Sequence, residues 1–210
     1  MTQPATQEAI GTRERILAAA ATVLSRKGYA GARLSDIAEL AELRTPAVYY
    51  YFDSREHLIS EVMTVGQRSV LDYVSCALDE LGEHAGAVAR LDRAVEAHLE
   101  VELSQSDFAT AVTRNAGQLP EELQQGFRVD SHLYFAVWDG ILAGLDAEGL
   151  LAPGLDRRAA RMLVLGALNW TAEWWDPAHG DFLDLVETAR RMARGALTCV
   201  TPLAFDSYLK

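Results

Sequence analysis

Six prolines, at positions 4, 46, 120, 153, 177 and 202, are the only ones in 210 residues, and they leave long uninterrupted stretches between them. Proline breaks helices by losing an N–H and clashing with the preceding turn, so proline-free stretches with apolar residues every three or four positions read as helices. No alternating Val/Ile/Thr run long enough for a sheet lies between them, and the chain is expected to be all-α. A first helix is expected from about Arg13 to Lys27, with Thr12 as N-cap and Gly28 as its stop. Ile16, Leu17, Ala20, Val23 and Leu24 form its inner face. A short second helix follows Ser35 as cap, with Ile37, Leu40 and Ala41 turned inward, and a third opens at Thr45-Pro46, with Thr45 as cap. A long helix then runs from Arg55 to Cys76 or beyond. Five further helices are expected near 86–104, 106–117, 120–148, 155–175 and 180–200, jointed at Gly82–Gly86, Leu119-Pro120, Gly149–Gly154 and Asp176–Gly180.

Two short helices separated by a tight turn, the second with polar and aromatic groups on its outer side, have the shape that enters a DNA major groove. Val48 and Phe52, four apart, would anchor the third helix inward. That leaves Thr45, Ala47, Tyr49 and Tyr50 near groove and backbone, where tyrosine hydroxyls can bond phosphate and their rings brace against sugars. Consecutive residues point about 100° apart on a helix, so Tyr49, Tyr50 and Tyr51 cannot all be buried; Tyr51 is open between core and DNA. Arg33, Arg44 and Arg55 flank this surface as phosphate clamps or as ordinary solvated charges.

The net charge of −11 looks unsuited to nucleic acid until it is divided. Residues 1–60 hold seven basic side chains and seven acidic ones, netting zero, so the remaining residues carry −11. An acidic body would turn a neutral head toward DNA.

From Thr12 through Leu58 the sequence resembles the TetR family, most densely at Asp36-Ile37-Ala38, at Pro46-Ala47-Val48-Tyr49-Tyr50-Tyr51-Phe52 and at Arg55-Glu56-His57-Leu58. The resemblance implies an N-terminal three-helix helix-turn-helix domain, residues 1–58, and a C-terminal helical ligand-binding and dimerisation domain, residues 59–210. It implies that the helix from Pro46 reads a palindromic operator in double-stranded DNA, that Tyr49 and Tyr50 touch it, that Arg55 meets phosphate and that Ser35 opens the supporting helix. Three positions depart from the family pattern: Glu42 stands where the turn usually has glycine, Arg44 where a serine cap is usual, and Arg33 in place of a small hydroxyl residue.

In the body, Phe108, Phe127, Tyr134, Trp138 and Trp170, with Asn115 and Asn169, are either core or the walls and orienting groups of a ligand pocket. Leu163, Ala167 and Trp174, then Phe182, Val186, Ala189 and Ala193, form an apolar stripe suited to a two-fold helical interface. The resemblance likewise implies a homodimer through the last helices. The segment from Asn169 to Pro177 resembles the branch of the family that senses fatty-acyl or steroid-derived CoA thioesters, making the expected partner a small hydrophobic effector that releases a repressor from DNA.

The alternatives are a body that binds a protein partner, and a helical enzyme. The enzyme reading has little to stand on: the five histidines are scattered, with no H-E-x-x-H and no nucleophile elbow. His98 with Glu102 is the nearest approach to a metal pair, and neither metal nor cofactor is expected. The opening residues lack a basic segment followed by an apolar one, no stretch is apolar enough to span a bilayer, and Cys76 and Cys199 are far apart; the protein is expected in the reducing cytoplasm, away from membranes.

Overall fold

A computed structural model describes residues 5–103 and 107–199. Among them are nine α-helices and a short 3-10 turn. The helices are α1 (Ala5–Gly31), α2 (Leu34–Leu40), α3 (Thr45–Tyr51), α4 (Arg55–Asp79), α5 (Ala87–Leu103), α6 (Asp107–Asn115), α7 (Gln125–Ala147), α8 (Arg157–Trp174) and α9 (Phe182–Leu197). The all-α expectation is met; the one strand-like feature described is an isolated bridge between Leu151 and Thr198. Residues 104–106, where the helices expected at 86–104 and 106–117 meet, and the last residue of the helix expected at 180–200 lie outside the described residues.

The chain divides into two compact units, one of residues 1–72 and 101–134, the other of residues 73–100 and 135–210. In the first, Ile16, Ala20 and Leu24 of α1, Ile37 of α2, Val48 and Phe52 of α3 and its end, Leu58, Ile59 and Met63 of α4 and Ala111 of α6 share one buried core. α4 and α6 approach very closely: a Cβ on Gly66 would stand 2.6 Å from the carbonyl oxygen of Phe108. In the second unit α5 and α9 are tied by ion pairs, Arg190 to Glu96 at 2.7 Å and Arg194 to Asp92 at 3.0 Å. Asp156 and Asp181 cap α8 and α9, each carboxylate accepting a first-turn N–H at 2.7 Å.

Several local expectations fail for identifiable reasons. α1 begins at Ala5, which puts Thr12 inside the helix instead of at its cap; the good helix formers upstream of Thr12 outweigh the cap signal. The foreseen stop at Gly28 is real, with φ 69° and ψ 173° breaking the helix there. Neither Ser35 nor Thr45 is a cap. Arg33 and Arg44 hold the extended N-cap backbone without a side-chain bond, so Ser35 and Thr45 fall within the first turns of α2 and α3. Leu40 is half exposed instead of inward, because Leu34, Ile37, Ala38 and Ala41 take the inner face. The helix foreseen at 120–148 starts late: Glu121–Leu123 form a 3-10 turn and α7 opens at Gln125.

Candidate nucleic-acid interface

The turn joining α2 to α3 is made at Glu42, whose φ of +57° is the one positive value at a non-glycine residue among those described. Leu43 N–H donates to Ala38 O at 2.8 Å and Glu42 N–H to Glu39 O at 3.0 Å, the paired bonds of a helix C-terminal motif that normally uses glycine. The family's usual glycine is absent, but its backbone conformation is kept. Leu43 packs on the core and fixes where α3 begins.

α3 is held by Val48 and Phe52, both almost fully buried, with the Arg13 guanidinium 5.1 Å above the Phe52 ring. Pro46, Tyr49 and Tyr50 therefore share the outer face, and Tyr50 is 82% exposed. Tyr51 takes the other side: it packs on the core, edge to face with Tyr50 at 5.0 Å. Thr45 and Ala47 are half-buried, while Arg33, Ser35 and Arg44 are exposed at the starts of α2 and α3. Lys27 pairs with Asp36 at 2.8 Å, and that hydrogen bond holds the Asp36 carboxyl below its ordinary value.

Arg55 is engaged elsewhere. Its Nε donates to Ala32 O at 2.6 Å, Nη2 donates to Tyr29 O, and the guanidinium lies 4.6 Å from the centre of the Tyr29 ring. This side chain ties α4 to the end of α1, so the guanidinium expected at phosphate is held by backbone carbonyls and a ring of its own chain.

The seven body residues expected around a ligand are divided between the two units, four in the first and three in the second. Phe108 and Phe127 pack against the first unit's core. Asn115 is fully buried and spent on backbone: Oδ1 accepts Tyr29 N–H at 2.7 Å and Nδ2 donates to Leu24 O and Ala111 O. That corrects its reading as a ligand-orienting group. Tyr134 is buried in the same unit. In the second unit Trp138 is buried beside His98, ring centres 6.4 Å apart, and Asn169 hydrogen-bonds His98. Burial pushes the His98 imidazole down to about 4, against the opposing effect of the Asn169 bond. Trp170 is 65% exposed on α8. Sequence reasoning had His98 only as a weak metal ligand, and its partner Asn169 lies too far along the chain for any local pattern to pair them.

Between α8 and α9 lies an apolar groove of about 300 Å³ lined by Leu163, Ala167, Trp174, Leu185, Met192 and Ala196. Leu163 is 74% exposed, and Trp174 is more than half exposed. Phe182 and Ala189 of the expected interface are half-buried, whereas Val186 and Ala193 are already covered within the chain and offer little surface to a partner. Among the described residues no cluster of three or more His, Cys, Asp or Glu could hold a metal, and no helix is long and apolar enough to cross a membrane.

A family model described as bacterial regulatory proteins of the tetR family matches residues 16–62, and one described as the tetracyclin repressor-like C-terminal domain matches residues 84–198, more than half of the chain. The chain belongs to the TetR family. Its members and this chain's relatives are transcriptional regulators. The fatty acid metabolism regulator protein of Bacillus subtilis (strain 168) is 24% identical over 161 residues, 77% of this chain and 81% of that protein. The transcriptional repressor KstR2 of Rhodococcus jostii (strain RHA1) is 24% identical over 185 residues, 84% of this chain and 85% of its own. Among solved structures, AibR in complex with isovaleryl coenzyme A and operator DNA superposes with a TM-score of 0.75 at 19% identity, covering 89% of this chain and 97% of AibR. At such identity the superposition speaks for the fold, an N-terminal helix-turn-helix domain followed by a helical one.

Proposed function

We propose that this TetR-family protein is a cytoplasmic homodimeric repressor that binds a palindromic operator through α2 and α3 of each protomer and is released by a small hydrophobic effector. The observation that carries the reading is the outer face of α3: Tyr49 and Tyr50 stand in solvent on a helix whose other side is locked by Val48 and Phe52. Exposed aromatic rings on a rigid short helix suit sugar, phosphate and thymine-methyl contacts. Residues 1–58 form the DNA-reading domain and 59–210 the effector and dimerisation domain. Arg33, Ser35, Arg44, Thr45, Pro46 and Ala47 complete the DNA surface.

The exposed apolar groove of α8 and α9 supports the dimer, since two such faces related by a two-fold axis bury each other and form a four-helix bundle. The effector class is a fatty-acyl or related CoA thioester, a reading supported by the names of the relatives in fatty acid metabolism and of AibR with its bound isovaleryl coenzyme A.

The test is selection of duplexes from a random pool by the purified protein, followed by titration of the selected duplex with and without stearoyl-CoA and isovaleryl-CoA. A two-fold symmetric consensus is expected, bound by wild type and weakened about 5–150-fold per CoA thioester that acts as effector. Tyr50→Ala should cost roughly 1–3 kcal/mol of operator binding. No consensus would sink the repressor reading; a consensus with no response to either thioester would sink the effector class alone.

A further inference from the structure

Tyr29 follows the Gly28 break by one residue, and the six residues from Gly28 to Arg33 carry the chain from α1 into α2. Both of its backbone groups are taken by side chains from other helices. Its N–H donates to Asn115 Oδ1 of α6 at 2.7 Å, and its carbonyl accepts from Arg55 Nη2 of α4, whose guanidinium also covers the ring. The same two side chains reach both ends of the segment: Asn115 Nδ2 donates to Leu24 O at 3.2 Å before the break, and Arg55 Nε donates to Ala32 O at 2.6 Å just before α2. α6 adds two more grips on the last turns of α1. Arg114 Nη1 donates to Ser25 O at 2.7 Å, and Asp107 accepts from the hydroxyls of Thr22 and Ser25. Asn115 is fully buried, and its Oδ1 lies beside Gly28, whose positive φ turns the chain so that the Tyr29 N–H meets the amide.

We infer that Asn115 and Arg55 are positioning residues for operator binding: together they clasp Tyr29 and fix the pose of α2 and α3 relative to α4 and α6. The clasp makes α6 part of the DNA-reading device, because Asn115 and Arg114 lie at its last turn and a displacement of that turn by about an ångström stretches the Tyr29 bond beyond hydrogen-bonding distance. This deepens the operator-binding reading and rests on it.

The experiment compares full-length wild type, Asn115→Ala and Arg55→Lys on the selected operator and on a scrambled duplex of the same length, at several salt concentrations. Thermal unfolding measured alongside verifies that each variant is folded at the assay temperature. Arg55→Lys separates the roles, because lysine keeps the charge that a phosphate contact needs and loses the fork that reaches Ala32 and Tyr29. The clasp requires both variants to bind operator at least roughly tenfold more weakly than wild type, within the range of conformational coupling, with scrambled-duplex affinity and salt dependence unchanged. Operator affinity within about twofold of wild type in a folded variant overturns the proposal, as does equal weakening on both duplexes, the signature of a lost phosphate contact. Should Asn115→Ala not fold, Arg55→Lys alone decides. A wild type that selects no operator would instead refute the operator-binding reading, before either variant is made.

Discussion

Acidifying the protein from neutral pH should unload stability through His98. The imidazole is buried, next to Trp138 and bonded to Asn169, and ionises only near pH 4 when folded, against 6.5 for a free histidine. Well above pH 6.5 neither the folded nor the unfolded form is charged, and the group contributes nothing to pH dependence. As pH falls below 6.5 the unfolded chain takes up a proton that the folded chain refuses, and stability declines by up to about 1.36 kcal/mol per pH unit. The decline levels off below about pH 4, where the folded form protonates too. The full loss across that window is roughly 3 kcal/mol per protomer, a large part of an ordinary folding free energy. The measurement is urea unfolding at fixed protomer concentration at pH 7.5, 6.0 and 5.0, for wild type and His98→Gln. Glutamine retains a hydrogen-bonding amide for Asn169 and cannot titrate, so every carboxylate contribution cancels in the difference between the two proteins. That difference should shrink steadily toward low pH; parallel curves for the two proteins would refute the assignment of a buried neutral imidazole.

Glu42→Gly should raise stability by about 0.5–1 kcal/mol, because relief of the positive φ exceeds the added entropy of an unfolded glycine; an unchanged or lowered denaturation midpoint would argue against strain at this turn. Gly28→Ala should lower stability by at least 1–2 kcal/mol, as the left-handed backbone there penalises a Cβ, and a loss of under a few tenths in the same unfolding assay would contradict it. Leu163→Glu places a charge on the exposed face of α8 and should shift the sedimentation coefficient from dimer to monomer, whereas an unshifted dimer would move the interface elsewhere.

Helices were legible in this sequence because their signals are local. Proline and glycine punctuation located the joints at Gly28, Leu119-Pro120 and Gly149–Gly154, and the four-residue spacing of Val48 and Phe52 located the hidden side of α3. The exposure of Tyr49 and Tyr50 follows from the same arithmetic. Caps were less legible, because an N-cap is defined by backbone angles: Arg33 and Arg44 adopt them with no side-chain bond, while Ser35 and Thr45 had the more suggestive chemistry. Asn115 and Arg55 were misread for a different reason. Their partners lie 86 and 26 residues away, so one polar side chain in the body looked like a ligand group and one arginine near the helix-turn-helix looked like a phosphate clamp. The exposure of Trp170 was not legible because an aromatic at helical spacing carries no mark of which side faces solvent.

Gly66 gives the first unit a bearing surface. With only a hydrogen at this position, α4 lies against the main chain of α6 at Phe108, and the side chain of Val112 would be 2.7 Å from an added Cβ. At this point the two helices cannot slide past one another by rearranging rotamers alone, since main-chain atoms of Phe108 stand directly against Gly66. A single methyl at residue 66 therefore works as a shim of fixed thickness: in Gly66→Ala it would overlap the carbonyl of Phe108, so the helices must shift apart locally or the fold must lose stability, which urea unfolding of the variant would read.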